Sequence, residues 1–124
     1  IANFMIAGTI ELLAEATTLG EKGGIAPADL VRTLSSTVLA SPIVDGYGKR
    51  MAAREYQPAG FAVPLGLKDV ELALASGREL RAPLPVAGVV RDHLLGALAR
   101  GRDDWDWTAL ATIVRENSGL DGEG

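Results

Sequence analysis

Apolar residues in this chain recur at the spacing of helices rather than strands. Over residues 1–21 they occupy most sides of a helix, and Glu11, Glu15 and Thr18 form its one polar stripe. One face is shared by Ile1, Met5, Gly8, Leu12 and Leu19, and other faces are occupied by Ile6, Ile10, Leu13 and Ala14. A helix of this kind is typical of the centre of a bundle, where neighbouring helices cover several of its sides.

Five further helices are predicted from prolines at helix starts, glycines at helix ends and apolar stripes between them. They are expected over residues 27–36, 42–54, 65–80, 86–100 and 107–118, with Ser41 and Asp106 as N-caps of the third and the last helix. The inward stripe of the fifth is expected to contain Val86, Val89, Val90, Leu94, Ala97 and Leu98. No stretch alternates long enough for a strand. We therefore predict an all-α bundle of about six helices around a long first helix, with residues 1–119 as the domain and residues 120–124 as a disordered tail.

Composition excludes several kinds of function. The formal net charge of −4 disfavours a nucleic-acid partner, which favours a basic surface. The chain has no cysteine and a single histidine, His93, so thiol chemistry and a multi-histidine metal site are excluded and no metal is expected. The uncharged run at residues 1–10 is too short to span a membrane, so we expect a soluble, cytoplasmic protein. Because Ile1 opens directly into an apolar helical run with no capping residue, the chain is expected to be a fragment.

Three positions carry candidate chemistry. Asn3 lies in an apolar part of the first helix, where it either satisfies a backbone carbonyl or points its amide into a site. The adjacent Lys68 and Asp69 are either a solvated charge pair near a helix start or a cation that holds a carboxylate or phosphate at a cleft. His93 is interpreted as a packed histidine, because no second histidine or cysteine exists to form a site with it.

An ordered set of short segments resembles the C-terminal helical domain of β-hydroxyacid dehydrogenases of the 3-hydroxyisobutyrate dehydrogenase type, in the 6-phosphogluconate dehydrogenase superfamily. The segments read A-N-F-M-I-A at 2–7, L-A-E-A at 13–16, F-A-V-P-L-G-L-K-D-V at 61–70, P-L-P at 83–85 and D-W-T-A-L at 106–110. Asn3 matches the last Asn of a K-x-x-N-N or K-x-x-x-N motif, and the set spans about residues 1–118. Ala2 stands where many members have another Asn, and Thr108 replaces the usual Ser.

This resemblance implies a substrate-binding and dimerisation domain of an enzyme that oxidises a small 3-hydroxy acid with NAD or NADP. The cofactor would be bound mainly by an N-terminal Rossmann domain that is absent from this chain. The general acid/base lysine would lie four residues before Asn3, hence before Ile1. This chain alone is therefore expected to be inactive.

The resemblance also implies site residues and a homo-oligomeric partner. Asn3 would be the catalytic-site residue of this chain and would orient the substrate. Phe61 would wall the cleft, and Lys68 would bind the substrate carboxylate or, with Asp69, the cofactor. A homodimer or higher homo-oligomer is expected. Two alternatives remain open: a non-catalytic helical assembly or binding domain, and the same domain of an imine-reducing relative. Asn3 favours hydroxyacid over imine chemistry.

Overall fold

The computed structural model describes residues 1–120, and these form an all-α bundle. Its helices are α1 (Ala2–Lys22), α2 (Pro27–Leu34), α3 (Pro42–Ala53), α4 (Val63–Glu79), α5 (Pro85–Ala99) and α6 (Leu110–Asn117). A 3-10 turn, Trp107–Ala109, leads into α6. The predicted fold class, six helices around a long first helix, is confirmed.

Helix α1 lies at the centre and packs against the other five helices. Its inner side, which includes Ala7, Ile10 and Ala14, is fully buried. The opposite face is not covered: Met5, Leu12 and Leu19 are 63 %, 68 % and 76 % exposed. Within residues 1–120, the first helix is thus central, but it also presents an apolar face to solvent.

Helix α4 begins two residues earlier than the sequence predicts. Its first residue, Val63, donates its backbone N–H to the carbonyl of Trp105 at 2.9 Å, which fixes the start of the helix. Pro64, which has no N–H to donate, occupies the first turn, where none is needed. Lys68 therefore lies in the second turn, where the unfavourable effect of the helix dipole on a cation is already weak.

Both predicted N-caps are present. The Ser41 hydroxyl accepts the N–H of Val44 at 3.0 Å, and the Asp106 carboxylate accepts that of Thr108 at 3.0 Å. Asp106, however, caps the 3-10 turn and not the α-helix directly. Asp106 therefore stabilises the tight turn that precedes α6.

The predicted inward stripe of α5 is wrong at two positions. Val86 and Val89 are 53 % and 44 % exposed, because the buried side of the helix is formed by Ala87, Val90, Leu94 and Ala97. Val86 borders α1: a Cβ built on Gly8 would lie 3.4 Å from Val86 Cγ1. Val86 therefore extends the uncovered apolar face of α1 onto α5, and Val89 is exposed one turn further along α5.

The C-terminal end is described up to Leu120, whose backbone N–H donates to the Arg115 carbonyl at 2.9 Å. Residues 121–124, on which most of the predicted tail falls, lie outside the described residues. Over residues 1–120, no helix is long and apolar enough to cross a membrane.

Candidate functional site

Asn3 and Asp69 meet across two helices at the N-terminal end of α1. The Asn3 side-chain amide donates from Nδ2 to Asp69 Oδ2 at 2.7 Å, although the two residues are 66 positions apart in sequence. Asn3 is exposed and Asp69 is half-buried. The amide therefore bonds a carboxylate at the surface, and the interpretation of Asn3 as a buried residue that satisfies a backbone carbonyl is wrong.

This pair lies at one side of a groove of about 670 Å³ between the start of α1, α4 and the turn that follows α4. Most of the lining is apolar and includes Phe4, Leu72 and Leu84. Among residues 1–120, Asp69 is the only one with a charged side chain that lines it. The groove thus combines apolar walls with one localised polar pair, a combination typical of small-molecule sites.

The hydrogen bond fixes which end of the Asn3 amide remains available. An ionised carboxylate can only accept, so the NH₂ group of Asn3 must face Asp69. The carbonyl Oδ1 is then left to accept a hydrogen bond from another group. Asn3 can in this way orient a hydroxyl or an ammonium group that approaches the start of α1.

Asp69 owes its position to the way α4 is anchored. A Cβ on Gly66 would lie 2.7 Å from Cε3 of Trp107, so only glycine allows the helix to approach the indole this closely. Trp107 in turn donates its backbone N–H to the carbonyl of Phe61 at 2.7 Å. These contacts hold the first turns of α4 and orient the helix that carries Asp69 towards α1.

The loop before α4 is organised by the buried carboxylate of Asp106. Asp106 Oδ2 accepts the backbone N–H groups of Gly60 and Phe61 at 3.0 and 3.1 Å, and Oδ1 accepts both the N–H and the hydroxyl of Thr108. The guanidinium of Arg50 lies 3.5 Å from Oδ2 and also donates to two loop carbonyls. Every oxygen lone pair that Asp106 offers is engaged by the protein, so its role is to hold the loop.

Lys68 is exposed and does not line the groove of Asn3 and Asp69. It lines a neighbouring groove with Pro64, Leu67, Glu71, Leu72, Ala75 and Leu98. The two grooves adjoin at Leu72, which lines both. The ammonium group of Lys68 has no hydrogen bond or ion pair within residues 1–120, and Asp69 bonds Asn3 rather than Lys68. Lys68 is therefore a solvated cation beside the polar pair.

Phe61 lies apart from the other predicted site residues. Its ring packs edge-on against Trp107 with 4.6 Å between the ring centroids, and it lines neither groove. Of the four predicted positions, the structure brings Asn3 and Asp69 into contact and places Lys68 in the next groove. Phe61 contributes to the packing that anchors α4.

A second polar group lies in the middle of α1. His93 Nδ1 on α5 is 2.6 Å from Glu11 Oε1, and Glu11 is only 3 % exposed. The hydrogen bond to Glu11 raises the pKa of His93, burial lowers it, and the negative charges of Glu11, Glu15 and Asp92 raise it further, with a net upward shift. The interpretation of His93 as a packed histidine holds only in part, because its ring bonds a buried carboxylate.

The structure gives roles to two residues whose contacts the sequence does not predict. Arg50 holds the loop before α4, and Glu11 is buried although its stripe on α1 is polar. Their partners lie 56 and 82 positions away, so no local spacing could predict either contact. Over residues 1–120, no group of His, Asp or Glu side chains has the geometry to hold a metal ion.

Comparisons with known proteins agree with this architecture. Residues 1–114 match the family model described as the NAD-binding domain of NADP-dependent 3-hydroxyisobutyrate dehydrogenase. The chain is 34% identical to the oxidoreductase YfjR of Bacillus subtilis (strain 168) over 113 residues, which cover 91% of this chain and 39% of that protein. It is 32% identical to the 2-hydroxy-3-oxopropionate reductase of Escherichia coli (strain K12) over 115 residues, or 92% and 39% of the two chains.

A solved structure shares the fold. The 3-hydroxyisobutyrate dehydrogenase of Salmonella typhimurium superposes with a TM-score of 0.84 at 23% identity, covering 91% of this chain and 39% of that one. The chain therefore spans about two fifths of the length of the relatives it matches. Because the family model covers nearly the whole described bundle, the chain belongs to the 3-hydroxyisobutyrate dehydrogenase family of oxidoreductases.

Proposed function

We propose that this chain is the substrate-binding and dimerisation domain of an NAD(P)-dependent enzyme that oxidises a small 3-hydroxy acid. The observation that carries the proposal is the hydrogen bond between Asn3 and Asp69 at the edge of an apolar groove. An exposed polar pair beside apolar walls can orient a substrate and still leave space for it in the groove. Family membership supports hydroxyacid chemistry over a purely structural role.

The chemistry of Asn3 suits a hydroxyl substrate. Since its NH₂ group faces Asp69, its carbonyl oxygen can accept a hydrogen bond from the substrate hydroxyl or from a protonated amine beside it. The resemblance implies a general acid/base lysine four residues before Asn3. On a continuous helix that lysine would lie on the same face, one turn away, within reach of the same substrate atom. Asn3 would then orient the hydroxyl while the lysine removes its proton.

The described residues fit only part of a dinucleotide site. The ammonium of Lys68 is exposed and lacks a protein partner, as a contact to a phosphate or carboxylate requires. Residues 1–120 contain no strand followed by a glycine-rich turn and a helix, the arrangement that binds a pyrophosphate. We therefore propose that Lys68 contacts one edge of NAD or NADP or the substrate carboxylate, and that the rest of the cofactor is bound elsewhere. When bound, the cofactor accepts the hydride.

The test uses the longer protein that contains this chain. We expect it to oxidise a 3-hydroxy acid with NAD⁺ or NADP⁺, and we expect a lysine four residues before Asn3. The 124-residue chain alone should give no turnover with either cofactor. A long form that turns over no member of a panel of 3-hydroxy acids, or that lacks the lysine, would contradict the proposal. So would turnover by the purified short chain.

Self-association is the second part of the proposal. Met5, Leu12 and Leu19 on α1 and Val86 and Val89 on α5 are exposed apolar residues of two helices that meet at Gly8 and Val86, and we call this set the α1–α5 face. An apolar face of this kind on two adjacent helices is costly to leave in water. A second copy of the chain, related by a two-fold axis, would cover it with the same residues.

Sedimentation velocity at micromolar concentration tests this part separately. We expect a dimer for the wild-type chain and a shift towards monomer for Leu12→Glu, which places a charge in the face. The control is Leu80→Glu, since Leu80 is 77 % exposed but lies outside the α1–α5 face. A wild-type chain that sediments only as a monomer would contradict dimerisation without affecting the assignment of Asn3.

A further inference from the structure

The buried carboxylate of Glu11 has an incomplete set of hydrogen-bond partners. Oε1 is bonded to His93, but Oε2 is buried and no described group donates to it. An unpaired buried oxygen of an ionised carboxylate is costly, because water no longer solvates it and nothing in the protein replaces the water. The structure therefore requires either a donor for Oε2 or a compensating positive charge.

Glu15 is the group that can supply that donor. It lies four residues after Glu11 on the same side of α1, a spacing at which a protonated carboxyl group can donate to the neighbouring carboxylate. The hydrogen bond to Glu11 is the largest cause that raises the pKa of Glu15, followed by burial and by the charge of Glu11; His93 opposes the shift. One proton on Glu15 would thus complete the partners of Glu11.

His93 supplies the compensating charge from the other helix. Within residues 1–120, the charged groups that raise the pKa of His93 belong to α1 and α5: Glu11, Glu15 and Asp92. Asp92 is itself paired with Arg91 at 3.1 Å. The two charged groups of α6 pair elsewhere, Arg115 with Glu21 and Glu116 with Arg100 and Arg102. Among residues 1–120, no charged group of α4 contributes to the shift in the pKa of His93.

We propose that Glu11, Glu15 and His93 form a proton-binding clamp that ties α5 to α1, and that the clamp weakens as the pH rises. The clamp joins two elements that flank the candidate site. Helix α1 carries Asn3 two turns before Glu11, and α5 begins directly after Leu84, which lines the groove of Asn3. A proton lost from the clamp thus loosens the packing between these two elements.

The direction of the pH effect follows from the two shifts. The pKa values of both His93 and Glu15 are raised in the folded chain, so the folded state binds protons more tightly than the unfolded state. The stabilisation from His93 is fully present below its unfolded-state pKa and is lost as the pH rises through its folded-state pKa. The contribution of Glu15 changes in the same sense: it is fully present below the usual pKa of 4.5 and is lost as the pH rises through the raised pKa of the folded chain. The free energy of unfolding should therefore fall as the pH rises.

The single histidine makes the clamp directly observable. NMR of the imidazole in the 124-residue chain gives one titrating signal, which we expect to titrate above the usual value of about 6.5. In Glu11→Gln the largest cause of the upward shift and the charge of Glu11 are both removed, so the signal should titrate at a lower pH than in the wild type. Glu79→Gln, which removes an exposed carboxylate on α4, should leave the titration unchanged.

A second variant keeps the test valid if Glu11→Gln fails to fold. Glu15→Gln changes an exposed residue and places a permanent amide donor beside Glu11, in imitation of the protonated state. Urea unfolding of the wild type should show lower stability at pH 8.5 than at pH 6. Glu15→Gln should show a smaller difference and exceed the wild type at pH 8.5. A histidine that titrates at or below its usual value in the wild type, or equal pH dependence in wild type and Glu15→Gln, would overturn the clamp.

Discussion

Two aspartates, Asp69 and Asp106, lie in contrasting environments although both belong to segments that resemble the family. Asp106 is fully buried, and its two oxygens accept four hydrogen bonds from the protein. Asp69 is half-buried and accepts one hydrogen bond from an exposed amide. The first carboxylate has no capacity left for a ligand, whereas the second retains lone pairs beside an open groove. Unused hydrogen-bonding capacity, rather than the number of contacts, distinguishes the residue we assign to function.

The two aspartates also have different roles, since one positions the protein backbone and the other faces the candidate site. Asp106 holds the loop and the indole against which Gly66 of α4 packs, and α4 presents Asp69 to α1. Loss of Asp106 should therefore harm folding, and loss of Asp69 or its neighbours should harm activity. The predictions below test that separation.

Asp106→Ala is expected to have the largest effect. It leaves the N–H groups of Gly60 and Phe61, both donors of Thr108 and the nearby Arg50 guanidinium without their acceptor. A buried network broken in this way costs on the order of 3–5 kcal/mol. Urea unfolding measures the loss, with Asp103→Ala at an exposed turn as the control. A loss below about 1 kcal/mol would show that the loop does not depend on Asp106.

Gly66→Ala tests the close approach of α4 to Trp107. The added Cβ would lie 2.7 Å from Cε3 of the indole, so the helix or the ring must shift, at a cost of about 1–3 kcal/mol. Gly46→Ala on α3 is the matched control, since its Cβ meets nothing within 4 Å and alanine favours the helix. Calorimetric melting of both variants checks this. A Gly66→Ala chain as stable as the wild type would contradict the anchoring of Asp69 through the indole.

Lys68→Ala should separate activity from stability. In the longer enzyme we expect an unchanged melting temperature and a fall in kcat/KM of roughly tenfold, or about 1.4 kcal/mol, for one lost charge-assisted contact. Lys49→Ala is the control, because Lys49 is an equally exposed lysine that pairs only with Asp45 on its own helix. Wild-type kcat/KM in both variants would make Lys68 a solvated surface charge.

Asp69→Ala should have only a small effect on stability, far below that of Asp106→Ala. The hydrogen bond it loses is exposed to water, and such contacts contribute less than about 1 kcal/mol. A double-mutant cycle with Asn3→Ala, measured by urea unfolding of the 124-residue chain, isolates the coupling between the two. A coupling of several kcal/mol would mean that the pair is a structural link comparable to Asp106.

The sequence was sufficient for the helices and for part of the site. Prolines at helix starts and the capping residues Ser41 and Asp106 predict where helices begin, because caps and prolines act locally. Val86 and Val89 were predicted to face inward, yet they are exposed, since an apolar stripe on a helix does not reveal which of its edges a neighbour covers. The periodicity of apolar residues predicts a helix, but it does not predict which sides of that helix its neighbours cover.

Local sequence patterns do not predict the contacts between distant segments. The sequence predicts Asn3 and Asp69 as candidate positions, and the family resemblance gives them roles, but their mutual hydrogen bond depends on how α1 and α4 pack. No local spacing predicts the pairing of Glu11 with His93, and Glu11 is buried although it belongs to the polar stripe of α1. Lys68 and Asp69 are adjacent in sequence but line different grooves, since successive helical residues are about 100° apart.

The most direct test of the central claim is the activity of Asn3→Ala in the longer protein that contains this chain. If Asn3 orients the substrate hydroxyl, kcat/KM for NAD(P)⁺-dependent oxidation of the 3-hydroxy acid should fall at least about tenfold, or about 1.4 kcal/mol, because one hydrogen bond made in the transition state is lost. The melting temperature should stay within a few degrees of the wild type, since Asn3 is exposed. Wild-type kcat/KM in a folded Asn3→Ala enzyme would contradict the assignment of the substrate site to the start of α1.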